Sequence, residues 1–341
     1  MNTMNTSTLI IAEAGVNHCG RLDLAIKLID AAARAGADVV KFQTFNSERI
    51  VTRFAQKAPY QRAISGGSVC SETQFQMLKD LELSDETHRQ LIEHAKVVGI
   101  EFLSTGFDIQ SLDYLCTLGI RRIKIPSGEI TNLPYLRHVS QLGLPVILST
   151  GMAAMEEVRD AFTILTAGGL AKQSITVLHC CSEYPAPFDE INLRAMKTIR
   201  DEFGVEVGYS DHTRGIEVPV AAVTLGASVI EKHLTLDVSM SGPDHSASTE
   251  PEEFKQMVCA IRNIERAMGS GIKEPSPSEL RNLKIIRKSL VAATDIEIGD
   301  LFSKSNVTTK RPGTGISPML WDSVIGKRAS RAFRKDDLIE L

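Results

Sequence analysis

The sequence predicts a (β/α)8 barrel followed by a small C-terminal domain, and three observations lead there. Short β-branched runs alternate with stretches of helical period from residue 8 to about residue 270. Strands alternating with helices imply a parallel sheet, because a parallel return needs a crossover helix. Eight such units in about 260 residues match the ~250 residues that a barrel of this kind takes. Each strand also turns polar at its C-terminal end, where barrels carry their chemistry. A doubly wound open sheet is the alternative, but no Gly-rich dinucleotide turn follows the first strand.

The strands are predicted at residues 9–14, 38–43, 101–105, 122–125, 145–149, 175–180, 206–210 and 228–233. Amphipathic stretches between them include residues 22–35, 84–98, 155–167, 193–203 and 251–268. The connection over residues 46–70, with Lys57-Ala58-Pro59-Tyr60-Gln61 and Ser65-Gly66-Gly67-Ser68, is long and irregular. On the catalytic face of a barrel, such a segment is expected to cover substrate. The barrel domain is placed at residues 1–270, a Gly/Pro/Ser-rich linker at 271–287 and a second domain at 288–341. That domain shows short strands and turns, one brief helix near 319–325, and a weak internal echo between residues 293–300 and 329–337. At ~55 residues it is marginal alone and is expected to pack on the barrel or on another subunit.

Lys and Arg number 38 against 42 Asp and Glu, a formal charge of −4. This balance argues against nucleic acid as a partner and requires any anionic partner to be small and met by local cations. No window reaches the roughly 18 apolar residues of a membrane span. The start, MNTMNTSTLIIAEAG, lacks the basic segment and apolar core of a secretion signal. Cys19, Cys70, Cys116, Cys180, Cys181 and Cys259 contain no CxxC, which reads as reduced thiols of a cytoplasmic protein.

The strand ends carry the functional signal. The first ends in Glu13, and the second places Lys41 and Gln43 on one face. Ser104-Thr105 end the third, Lys124, Ser127 and Glu129 follow on the fourth, and Ser149-Thr150-Gly151 on the fifth. Cys180, Ser182 and Tyr184 share parity on the sixth, Ser210-Asp211-His212 end the seventh, and Glu231 shares a face with His233 on the eighth. Helix capping accounts for isolated Ser, Thr, Asp or Asn at such positions. It gives no reason for two lysines, two glutamates and two histidines. A buried lysine must be paired or bind an anion, and two of them suit a phosphate or carboxylate. His212 and His233 lie on adjacent strands, so they are expected to converge on a divalent metal such as Mn²⁺. Glu13 and Glu129 are candidates for proton transfer. Cys180 and His179 are strand neighbours facing opposite ways, which excludes a Cys–His dyad from that pair.

The runs IIAEAGVNHCG, VVKFQTF, FLSTGFD, KIPSGEITNLPYL, VILSTGM, LHCCSEYPAPF, GYSDHTRG and IEKHLTLD–SGPDH resemble the sialic acid synthase family of bacterial nonulosonate synthases. TTKRPGTGISP resembles that family's C-terminal antifreeze-like (SAF) domain. The match runs in order along nearly the whole chain. KAPYQ, YSDHTRGI and AMGSGIK resemble most the N,N′-diacetyllegionaminate branch, with the N-acetylneuraminate branch second.

The resemblance implies condensation of phosphoenolpyruvate with an open-chain N-acetylated mannosamine-type sugar, giving a nine-carbon 2-keto acid and phosphate. It implies that Lys41, Thr105, Lys124, Ser127, Ser149, Ser182 and Ser210 hold phosphoenolpyruvate. His212 and His233 would bind Mn²⁺ or Mg²⁺, Glu13 and Glu129 would serve as acid/base and hydroxyl-binding residues, and Gln43, Tyr184 and Asp244 would meet the sugar. Arg311, from the small domain, would reach the N-acetyl group of sugar bound in the partner subunit, making a domain-swapped homodimer. Two positions depart from the family. Ser104-Thr105-Gly106-Phe107 stands where members often read STPF, predicting a looser turn, and Ser182 stands where some carry Asn. Two other readings are a metal-dependent pyruvate aldolase, which would not consume phosphoenolpyruvate, and a non-catalytic sugar-binding barrel. Intact Glu13, Lys41, Lys124, Glu129 and both histidines argue against the latter.

Overall fold

β-Branched and aliphatic residues fill both faces of the strands, as a parallel sheet covered by helices requires. The computed structural model describes residues 7–57 and 73–341, so most of the proposed cover (residues 58–70) lies outside the described residues. The strands are β1 (Leu9–Gly15), β2 (Val39–Thr44), β3 (Glu101–Gly106), β4 (Ile123–Ile125), β5 (Val146–Ser149), β6 (Ile175–Cys180), β7 (Glu206–Asp211) and β8 (Val229–His233). They form one sheet in the order β3-β2-β1-β8-β7-β6-β5-β4, with β3 and β4 meeting to bring it nearly to a closed barrel. Helices Leu22–Ala35, Asp85–Val98, Met155–Ala167, Ala195–Phe203 and Pro251–Met268 occupy the predicted stretches. Shorter helices Ile109–Thr117, Leu133–Gln141 and Glu217–Thr224 complete the ring.

Local chemistry sets these boundaries. The Ser84 hydroxyl accepts from the Thr87 amide, Asp108 from Ser111 and Asn132 from Tyr135, each capping the helix that follows. Within the barrel, alternate positions separate two cores. Ile11, Val39, Leu103, Ile147, Leu178 and Val229 point inward and form a dry floor. Their strand neighbours Ile10, Val40, Val177 and Ile230 join the core beneath the helices. The seventh strand contributes Gly208, where a Cβ would lie 2.4 Å from the Val229 carbonyl oxygen and 2.6 Å from a Leu178 methyl. The floor is filled at that point without a side chain.

Residues 270–341 form a second unit. The segment predicted as linker contains the helix Pro277–Ile286, started by a capping box in which Ser276 and Glu279 satisfy each other's backbone amides. β9 (Ser289–Ala292) and β10 (Val307–Lys310) pair antiparallel, over a small core that includes Leu290, Ile296, Phe302, Val324 and Phe333. The internal echo is structural. Ile296 and Phe333 exchange both backbone hydrogen bonds, at 2.8 and 2.9 Å. The Glu297 amide donates to Asp300 as the Arg334 amide donates to Asp337. Gly299 and Asp336 hold matching left-handed conformations, at φ 84° and 75°.

Candidate active site

One layer above the floor, every inward position is polar or a thiol. Strand register places Glu13 beside Lys41 and His233, Gln43 beside Thr105, and Ser210 between Cys180 and Glu231. These residues, with Lys124, Ser127, Ser149, Ser182, Tyr184, His212 and Asp244, line a cavity of about 310 Å³ at the C-terminal ends of the strands. The alternation that buries Ile11 and Val39 therefore sends Glu13 and Lys41 into the cup.

Four charges sit at its base. The Lys41 ammonium lies 2.5 Å from Glu13 and 3.7 Å from Glu231, and Lys124 lies 3.2 Å from Glu231. Lys41 also donates to Thr105, and Ser210 donates to Glu231. Burial pushes the Glu13 carboxyl up to about 7, opposed by Lys41 and reinforced by the negative charge of Glu231. Burial would raise Glu231 too, but Lys124 and Lys41 outweigh it and hold its carboxylate below the ordinary range. The proton affinities of the two buried carboxylates are thus driven apart.

Hydroxyls ring the cations. Ser127 accepts from the Gly151 amide at 2.9 Å, and the Ser149 hydroxyl is buried with no protein partner. The Thr105–Gly106 turn is not loose: the Tyr135 hydroxyl donates to the Gly106 carbonyl at 2.6 Å, and a Cβ at Gly106 would lie 3.0 Å from Leu112. On the opposite side, the His212 and His233 rings stand 5.5 Å apart, with the Tyr184 ring tilted at 36° and 4.2 Å from that of His212. His212 donates Nδ1–H to the Cys181 carbonyl, which leaves its Nε2 lone pair available. Nδ1 of His233 is buried without a hydrogen-bond partner. Burial holds both imidazoles neutral, the form that ligates a metal. Among the described residues no group of three or more His, Cys, Asp or Glu side chains forms a metal site. Two neutral imidazoles facing one cavity are donors of the kind that a divalent ion takes.

Asp244 lies 3.9 Å from His233, its carboxyl pushed up to about 6 by burial. Gln43 donates to Glu13 at 3.3 Å. These groups gather at Gly15, whose φ of 51° ends β1 and whose missing Cβ leaves room within 3.5 Å of Gln43, Glu13 and Asp244.

Glu129 is half-buried in the turn Ser127–Glu129 and accepts from Asn132 at 2.5 Å; it is not part of the cavity wall. Arg311 is exposed on the second unit, its Nε–H donating to the Ile286 carbonyl. Glu231 joins the site from a position that the sequence pattern marks only weakly. Its parity with His233 was the available signal. Cys180 is buried with its thiol pushed up by burial, and His179 turns away to the Ile191 carbonyl, as their alternation predicts. Asp211 and Lys232 pair with each other in the layer outside the barrel.

A parallel barrel with a cationic, hydroxyl-lined cup and two open histidines at its C-terminal rim defines a barrel enzyme that handles a small anion. More particularly, the chain belongs to the NeuB family, whose model matches residues 28–273, and carries a SAF domain at residues 287–340. It is 54% identical over 332 residues to the N,N′-diacetyllegionaminic acid synthase of Campylobacter jejuni, covering 97% of this chain and 98% of that one. Identity to the Legionella pneumophila enzyme of the same name is 50%, over 94% and 90% of the two chains. Human N-acetylneuraminate-9-phosphate synthase is 35% identical, over 97% and 90%. The crystal structure of an N-acetylneuraminic acid synthetase from Leptospira borgpetersenii superposes with a TM-score of 0.70 at 35% identity, covering 83% of this chain and 93% of that one.

Proposed function

We propose that the chain joins phosphoenolpyruvate to open-chain 2,4-diacetamido-2,4,6-trideoxymannose in the cytoplasm, giving N,N′-diacetyllegionaminate and phosphate for surface glycans. The observation that carries this reading is 54% identity to a N,N′-diacetyllegionaminic acid synthase along nearly the full length of both chains. The cup supports it on chemical grounds. Lys41 and Lys124 meet the phosphate and carboxylate of phosphoenolpyruvate, with hydroxyls from Thr105, Ser127, Ser149, Ser182 and Ser210. Gln43, Tyr184 and Asp244 face the sugar. When bound at His212 and His233, a divalent ion, Mn²⁺ or Mg²⁺, supplies Lewis acidity to the sugar aldehyde.

The C2–C3 π pair of phosphoenolpyruvate forms the new C–C bond at the aldehyde carbon, the aldehyde C=O π pair moves to its oxygen, which takes up a proton to become a hydroxyl, and cationic character is left at C2. Water adds there, and the tetrahedral intermediate breaks its C–O bond to expel phosphate. Glu13, balanced near neutrality, takes the proton from that water. Glu231 remains an anion between the lysines, so the cationic C2 does not face two uncompensated ammoniums.

The test is phosphate release that needs both phosphoenolpyruvate and the amino sugar. EDTA should abolish it and Mn²⁺ restore it, and His212→Ala and His233→Ala should each lose it; full activity in either variant would sink the metal assignment. Release from phosphoenolpyruvate without sugar would contradict the condensation. The second reading, N-acetylneuraminate synthesis from N-acetylmannosamine, is favoured by 35% identity to the human phosphate-sugar synthase and the Leptospira enzyme. The proposal extends to a homodimer in which exposed Arg311 reaches the N-acetyl group of sugar held by the partner copy.

A further inference from the structure

The cavity has two unlike walls. The strands β4 to β8 and their turns line it mainly with hydroxyls, imidazoles and charged groups, among which Pro126, Met152, Cys180 and Pro243 are interspersed. Above β1 to β3, beyond Glu13, Lys41, Gln43 and Thr105, its wall consists of Val16, Met77, Leu78, Leu81 and Phe107. These side chains pack with Phe45 and Ile50 into a separate apolar cluster, distinct from the barrel core. Phe107 meets the Phe45 ring edge-on at 6.1 Å. Glu82 clamps the segment that carries Met77 to Leu81: it accepts from the Ser47 amide at 2.8 Å and hydroxyl at 2.6 Å, and pairs with Lys79 at 2.9 Å. The wall is therefore held in place by polar contacts behind it, while Met77, Leu78 and Phe107 remain partly open toward the cavity.

None of these side chains offers a hydrogen bond. A sugar hydroxyl pressed against them loses water without gaining a partner, whereas a methyl group there buries apolar surface on both sides. Such a wall offers nothing to the carboxylate and phosphate of phosphoenolpyruvate, and it is poorly matched to a fully hydroxylated sugar. We propose that Met77, Leu78 and Phe107 form a subsite that receives the C6 methyl of a 6-deoxy amino sugar and discriminates against a C6 hydroxyl. This rests on the condensation reading given above and assigns its sugar specificity to named side chains.

The test compares kcat/KM for 2,4-diacetamido-2,4,6-trideoxymannose and its 6-hydroxy analogue at saturating phosphoenolpyruvate. An apolar subsite discriminates a single small group by about 10- to 200-fold, and the wild-type protein is expected to prefer the 6-deoxy sugar within that range. Leu78→Asn, and independently the near-isosteric Met77→Gln, should bring the ratio toward one through loss on the 6-deoxy sugar. The KM for phosphoenolpyruvate should be unchanged, and Leu78→Met should keep the wild-type ratio. A wild-type ratio near one, or variants that slow both sugars equally, would overturn the subsite. No phosphate release from the wild-type protein with either sugar would instead overturn the condensation reading itself, and the subsite with it.

Discussion

Glu13 and Glu231 occupy neighbouring strands in one desolvated cup, yet their surroundings drive them apart. Glu13 has a lysine on one side and faces a second carboxylate; Glu231 sits between two lysines. The consequence for stability has a definite sign. With its folded-state value raised from 4.5 to about 7, Glu13 binds its proton more tightly in the folded than in the unfolded chain. The resulting stabilisation is full below pH 4.5 and is lost as pH rises through 7. Denaturant unfolding of the ligand-free protein should therefore show wild type losing stability relative to Glu13→Gln between pH 4.5 and 7, on the order of 2 kcal/mol. A difference that stays flat across this window would remove Glu13 from the role of proton carrier. Activity of Glu13→Gln should fall by about 100-fold or more, the ordinary worth of a positioned acid/base group.

At the scale of the strand and its following turn, the site is an outcome of alternation. Because β1, β2, β7 and β8 keep period two, the residues two beyond the apolar floor are Glu13, Lys41, Ser210 and Glu231, and this much was legible in the sequence. Turns were not. Glu129 follows β4 in a 3-10 turn and accepts from Asn132, where direction is set by local hydrogen bonds and not by parity. The helix Pro277–Ile286 was read as linker because Gly, Pro and Ser dominate its approach, although Ser276 and Glu279 carried the capping signal. Gly151, after β5, is a turn position in the cup with a sharp requirement. A Cβ there would lie 2.1 Å from the Ser182 hydroxyl, 2.8 Å from that of Ser127 and 3.0 Å from the Cys180 sulfur. Gly151→Ala should displace both hydroxyls and raise the KM for phosphoenolpyruvate by about 10- to 100-fold, the worth of one or two charge-assisted hydrogen bonds. An unchanged KM would place the phosphate elsewhere.

On the scale of the whole molecule, the chain joins a barrel unit, whose strand ends line the cup, to a second unit over residues 270–341. The family match spans both. The second unit leaves Ile298, Leu301, Met319 and Leu320 exposed. If Arg311 completes a partner's sugar site, Arg311→Ala should raise the sugar KM by about tenfold or more and leave that of phosphoenolpyruvate unchanged. Equal values for both sugars and both KM terms would confine Arg311 to its contact with the Ile286 carbonyl.

The central claim is that this cup couples phosphoenolpyruvate to a 2,4-diacetamido-6-deoxy sugar. It is tested most directly by steady-state kcat/KM with that sugar and with N-acetylmannosamine, each product identified by mass. The account predicts the higher value for the trideoxy sugar and a product with the mass of N,N′-diacetyllegionaminate. A higher value for N-acetylmannosamine, with N-acetylneuraminate as its product, would contradict it.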